Sequence, residues 1–129
     1  MKIQESQENY LETILILQNK KGYVRSIDVA NELSVTKPSV SVAMKKFRED
    51  GYIIVDKEGL ITLTEKGHDI ANRMYERHHI IAKTLMLLGV DEITAYEDSC
   101  KIEHHISDIS FEKIKEFLLE NEGEDEKWN

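Results

Sequence analysis

The stretch from Ser26 to Gly67 constrains the fold most tightly, because its residue periodicity changes within it. SIDVANEL and SVSVAMKKFRED carry apolar side chains at helical spacing, Ile27, Ala30 and Leu33 in the first and Val40, Ala43, Met44 and Phe47 in the second. The link Ser34-Val35-Thr36 is brief, and Lys37-Pro38 suits a first helical turn, where proline's missing N–H is no loss. Ser26 is expected to cap the first of these helices and Gly51 to end the second. Beyond Gly51 the spacing becomes that of strands. Ile53 to Val55 and Leu60 to Leu63 are β-rich runs joined through Lys57-Glu58-Gly59, which reads as a hairpin.

The flanking segments read as helices. Residues 6–20, SQENYLETILILQNK, place Tyr10, Leu11, Ile14, Leu15 and Leu17 on a stripe, with Ser6 as cap and Gly22 as stop. Thr64-Glu65-Lys66-Gly67 opens a long helix that closes at Gly89, with Ile70, Met74, Ile81, Leu85 and Leu88 available for burial. Asp91 begins EITAYEDSCKIEHHI, Ser110 caps FEKIKEFLLE, and the tail NEGEDEKWN is expected to fray. The expected fold class is mainly α with a small β-hairpin. A winged helix-turn-helix occupies residues 1–66 and a helical domain residues 67–129.

In such a unit the second helix of the pair enters the major groove and the hairpin lies along the backbone. With Val40, Ala43, Met44 and Phe47 turned inward, Ser39, Ser41, Val42, Lys45 and Lys46 flank the exposed side. Hydroxyls can bond base edges or phosphates, and lysines contact phosphates. Arg25, Lys37 and Lys57, the last at the hairpin tip, complete the expected DNA-binding set. The net charge of −8 argues against nucleic acid at first sight. Yet residues 20–66 hold nine Lys/Arg against seven Asp/Glu, so the acidity belongs to the rest of the chain. No apolar run approaches the roughly 18–20 residues of a membrane span, and the start MKIQESQENY is too polar for a signal peptide. One cysteine excludes an internal disulfide and fits a reducing, cytoplasmic setting.

That cysteine stands in SCKIEHH. Cys100, Glu103 and His104 lie at i, i+3 and i+4, so in a helix they project from one face. A second histidine pair, in ERHH, lies in the preceding helix, and the first helix offers Asn9 and Glu12, again three apart. Three helices could thus each bring polar groups to one point, as metal sites in helical cores are built. A hydrogen-bonded network without metal is the plainer alternative. A Cys/His nucleophile–base pair has less behind it, since nothing marks a substrate pocket or oxyanion donors, and no catalytic residue is assigned.

The stretches ENYLETI, VRSIDVANELSVTKPSVSVAMKKFREDGYI, GLITLTEKG, ERHHIIAKTL, LGVDE and CKIEHHISD, in that order, make the chain similar to the diphtheria toxin repressor and manganese transport regulator family. The similarity runs from about Ser6 to Leu118. It implies a metal-dependent repressor that binds double-stranded operator DNA as a homodimer, dimerising through the helices after the hairpin. Fe²⁺ or Mn²⁺ would be the co-repressor, with Co²⁺, Zn²⁺ or Ni²⁺ as substitutes. It also implies metal ligands at Glu12, His78, Cys100, Glu103 and His104. Asn9 stands where the family places aspartate or methionine and could offer only a neutral carbonyl oxygen. Ala82 and Tyr96 stand where iron-type members hold two ligands of a second site, so that site is expected to be absent or differently built. The family commonly has its proline one place earlier than Pro38. In length the chain is like the manganese type, whereas the Cys100 thiolate favours softer ions, and the balance leans to iron. Two rival readings stand beside this one. One is a winged-helix regulator responding to an organic ligand or to thiol oxidation; the other is a small metalloenzyme or metal buffer.

Overall fold

A computed structural model describes residues 5–122, so most of the tail expected to fray lies outside the described residues. The elements are α1 (Glu5–Lys21), α2 (Ser26–Leu33), α3 (Lys37–Glu49), β1 (Ile53–Val55), β2 (Ile61–Leu63), α4 (Glu65–Leu87), α5 (Glu92–Ile102) and α6 (Asp108–Glu122). The chain is thus mainly α with a two-stranded antiparallel hairpin. It divides into two compact units between Arg73 and Met74, within α4. No helix among the described residues is long and apolar enough to cross a membrane.

In the first unit, α1 carries Glu5 and Glu8 in its first turn and Lys20 and Lys21 in its last, complementing the helix dipole. The chain is already helical at Glu5, so Ser6 lies inside α1 rather than capping it. Helix α2 also starts one residue earlier than expected. Its cap is Arg25, whose backbone N–H donates to Asp28 Oδ2 at 2.9 Å, and Ser26 is the first helical residue. Ser34, in the left-handed region at φ 54°, ends α2 and turns the chain toward α3. There Thr36 Oγ1 accepts from the Ser39 N–H at 3.2 Å, and Pro38 sits in the first turn.

Val24, Val29, Ala30, Val40, Met44, Phe47, Ile53 and Ile61 are buried, and the Phe47 ring meets Tyr10 and Tyr52 edge-on at 5.9 and 6.2 Å. Ile27, expected inside, is exposed, and Val29 takes its place. A helix of eight residues carries apolar groups on more than one side, so its spacing alone does not choose the buried face. The ladder pairs Ile53 with Leu63, Ile54 with Thr62 and Val55 with Ile61. Asp56 Oδ1 accepts from the Glu58 and Leu60 N–H groups at 2.9 Å each and shapes the tip. The Ile61 N–H donates to Val24 O at 2.8 Å, tying the hairpin to the α1–α2 loop. Where α4 begins, a Cβ on Gly67 would lie 2.1 Å from Tyr52 O, so only glycine permits that approach.

In the second unit, Ile80, Ile81, Phe111 and Leu118 form a core joined by Leu85, Ile106 and Ile114. Lys115 Nζ pairs with Glu76 Oε2 at 3.0 Å, linking α6 to α4. Leu88 was expected on the buried stripe but is exposed, because α4 ends at Leu87 and the turn through Gly89 redirects the chain. Asp91 caps α5 by accepting from the Thr94 N–H at 3.0 Å, and that bond holds its carboxyl below the usual value. The cap of α6 is Ser107, whose Oγ accepts from the Ser110 N–H at 3.1 Å; Ser110 itself is inside the helix.

Candidate metal centre

Helix α4 supplies His78, and the end of α5 supplies Cys100, Glu103 and His104. Regular α5 stops at Ile102, short of the expected run through Ile106. Glu103 keeps right-handed helical angles, however, and its N–H donates to Ser99 O at 3.0 Å. The one-face spacing therefore survives past the last regular residue. Glu103 is 1% exposed. His104 Nε2 lies 3.3 Å from Glu103 Oε1, and His78 Nδ1 lies 3.6 Å from Glu103 Oε2. Cys100 Sγ lies beside the His78 ring, 3.4 Å from Nε2 and 3.7 Å from Nδ1.

A buried carboxylate thus lies between two imidazoles, with a thiol beside one of them. The donors suit a cation. Carboxylate oxygen, imidazole nitrogen and thiolate sulfur are all ligands of borderline divalent transition ions, with thiolate shifting preference toward the softer ones. Bonds of about 2.0–2.3 Å to one ion place neighbouring donors on the order of 3 Å apart. The neighbouring pairs here, 3.3 Å for His104 with Glu103, 3.6 Å for His78 Nδ1 with Glu103 and 3.7 Å for His78 Nδ1 with Cys100, are somewhat wider than that.

Arg77 holds the turn that carries Glu103 and His104. Its Nη1 donates to Glu103 O at 3.2 Å and to Ile106 O at 2.9 Å, its Nη2 pairs with Asp108, and its guanidinium lies 5.1 Å from the Phe111 ring centroid. One is the carbonyl of the residue that caps α5, and the other lies in the turn between α5 and α6. Nothing in the sequence analysis marked Arg77. The signal was present nonetheless, since it stands in the apolar stripe between Met74 and Ile81, where a charge must be satisfied internally.

Aromatic rings wall the histidines. His79 Nδ1 is 3.2 Å from Tyr96 Oη, the Tyr75 ring packs edge-on against His79 at 4.4 Å, and the His78 and Tyr96 rings are 5.4 Å apart. Burial, with the nearby Glu92 charge, pushes the Tyr96 phenol above its usual value. Tyr96 and the fully buried Ala82 hold the positions that resemblance gives to a second site, and neither offers a carboxylate or imidazole.

The first unit holds the remaining site residues. Glu12 is buried on α1, whereas Asn9 on the same helix is exposed. Arg25, Lys37, Ser39, Ser41, Lys45, Lys46 and Lys57 are all exposed. Ser39 is also engaged locally, its Oγ accepting from Thr36 Oγ1 at 2.8 Å. Arg25 reaches toward the hairpin tip, with Nε 3.5 Å from Glu58 O, the outer limit of a hydrogen bond.

Two family models match the chain in succession. Residues 2–60 match the iron dependent repressor N-terminal DNA binding domain, and residues 64–123 match the iron dependent repressor metal binding and dimerisation domain. The HTH-type transcriptional regulator MntR of Lysinibacillus sphaericus is 38% identical over 113 residues, covering 88% of this chain and 81% of that one. Among solved structures, the manganese regulator SloR overlays with a TM-score of 0.76 at 29% identity, covering 92% of this chain and 54% of that one. IdeR of T. acidophilum overlays with a TM-score of 0.76 at 26% identity, covering 92% and 55%. The chain spans about half the length of these two solved proteins. The successive matches and the identity to MntR show that this chain belongs to the iron-dependent repressor family, that of the diphtheria toxin repressor and the manganese transport regulator.

Proposed function

We propose that this chain is a cytoplasmic, metal-responsive transcriptional repressor that binds operator DNA as a homodimer and controls metal-ion homeostasis. The observation that carries the reading is the gathering of His78, Cys100, Glu103 and His104 in a chain that also has a winged helix-turn-helix. Residues 1–66 read DNA and residues 67–129 bind metal and dimerise. Arg25, Lys37, Ser39, Ser41, Lys45, Lys46 and Lys57 face the duplex, the basic ones neutralising phosphates. A second copy covers exposed apolar side chains of the second unit, Leu88 and Ile93 among them, which suits the dimerisation domain that this part of the chain matches.

Glu12 is assigned as the ligand from the first unit, on the family resemblance and on its being a carboxylate held out of water. Asn9 is a weaker donor whose exposure adds no support. When bound, a divalent cation supplies the positive charge that lets Glu12, His78, Cys100, Glu103 and His104 share one position. His78 and Glu103 orient one another, Arg77 keeps the turn in place, and Glu12 would be the ligand that α1 contributes. Only the arrangement in which all five meet gains the full binding energy. Ligation by these residues would therefore favour that DNA-competent form by the difference in affinity between the two forms. Cys100 favours Fe²⁺ over Mn²⁺ as the physiological ion, with Co²⁺, Zn²⁺ and Ni²⁺ able to substitute.

The test is anaerobic equilibrium dialysis of the reduced protein against Fe²⁺, Co²⁺, Zn²⁺ and Mn²⁺, with Cys100→Ser alongside, followed by DNA binding with and without chelator. Binding should fall by about tenfold or more in the variant, Mn²⁺ should be the weakest ligand, and chelation should release DNA. DNA binding indifferent to chelators would overturn the metal reading in favour of an organic or oxidative signal.

A further inference from the structure

We infer that Val42 is a base-reading residue of α3, contacting the C5-methyl group of a thymine in the major groove; the inference rests on the DNA-binding function proposed above. Val40, Met44 and Phe47 fix the inward side of α3, since all three are buried. At about 100° per residue, Val42 projects roughly 190° from the mean direction of those three, on the outward midline of the helix. It is 72% exposed, the most exposed large apolar side chain among the described residues of the first unit.

Its surroundings are polar and basic. Lys45 and Lys46 project about 60° to one side of it and about 40° to the other, and the exposed Ser39 lies on the same half of the helix, with the exposed Ser41 at its margin. A single exposed valine is ordinary on a protein surface. This one, however, is centred between two lysines placed to hold phosphates. It lies in the N-terminal half of α3, the part of a recognition helix that reaches base edges. A β-branched residue there contributes little to helix stability and nothing to the core. Valine has no hydrogen-bonding group, so among base-edge features it can discriminate only the thymine methyl.

The test begins by enriching duplexes from a random-sequence library on the full-length, Co²⁺-loaded protein under anaerobic conditions. Each thymine of the enriched duplex is then replaced in turn by deoxyuridine, which removes only the methyl group. One thymine per half-site should emerge whose replacement weakens binding about fourfold, the worth of roughly one buried methyl. Val42→Ala should bind the native duplex as weakly as the native protein binds the deoxyuridine duplex, and should lose sensitivity to that replacement. Unchanged sensitivity in Val42→Ala, or no sensitive thymine at all while tight binding persists, would overturn the inference. Failure to enrich any duplex would instead defeat the DNA-binding reading, and the inference with it.

Discussion

The region from Val24 to Leu63 and the second unit solve the same packing problem with different materials. Every buried side chain between Val24 and Leu63 is apolar. The second unit, built around Ile80, Ile81, Phe111 and Leu118, also buries Arg77 and Glu103. An apolar core is stabilised by area and shape alone, and it tolerates any ionic condition that leaves the chain folded. Buried charges are stable only while each has its partner. The first arrangement suits a rigid DNA-reading head. The second holds charges that a lost partner would leave uncompensated, which suits the proposed response to a cation.

Four changes would break or sharpen that contrast. The largest effect should come from Phe47→Ala, which empties the space between Tyr10 and Tyr52 and costs about 3–5 kcal/mol. Hydrogen exchange should show the loss in the first unit. Arg77→Met should cost about 2–4 kcal/mol by leaving Asp108 and the carbonyls of Glu103 and Ile106 without their donor. Its loss should appear in the second unit and be accompanied by weaker metal binding in dialysis. Equal metal affinity in the two proteins would remove Arg77 from any positioning role. Thr36→Ala should cost about 1 kcal/mol through the lost α3 cap, measurable by urea denaturation and independent of metal.

The smallest effect concerns acid. Asp28, bonded first to Lys21 and then to the Arg25 N–H, and Asp91, bonded to the Thr94 N–H, both hold their protons less tightly folded than unfolded. The unfolded chain therefore takes up more protons near the ordinary value of 3.8. Their stabilisation is present above that value and fades as pH falls through it toward the lowered folded value. One such residue lies in each unit, so acid should erode both alike, and Asp28→Asn should flatten the slope in the first unit only.

Much of this was legible in the sequence, and the misses have identifiable causes. The helix pair and hairpin were clear because apolar residues such as Val40, Met44 and Phe47 keep one period, and because Gly51 and Gly59 punctuate it. Caps were less clear. Ser26 and Ser110 are good capping residues by type, yet Arg25 with Asp28, and Ser107, hold those places, since several polar residues adjoin each helix start. Leu88 fits the periodicity of α4 but falls beyond the end of the helix, where periodicity carries no meaning. Of the site, Cys100, Glu103 and His104 could be read as one constellation because they are close in sequence. Arg77 was signalled only as a charge within an apolar stripe; its partners Glu103, Ile106 and Asp108 lie a whole helix away, and only the fold returns them to it.

The central claim is that Cys100 belongs to a cation site with His78, Glu103 and His104. Anaerobic Co²⁺ titration of the native protein and of Cys100→Ser, followed by absorption, tests it most directly, since a thiolate bound to Co²⁺ gives a charge-transfer band that oxygen and nitrogen ligands do not. The account predicts that band at saturation in the native protein, and weaker Co²⁺ binding without it in Cys100→Ser. Saturable Co²⁺ binding with no such band, or the same band in both proteins, would contradict it.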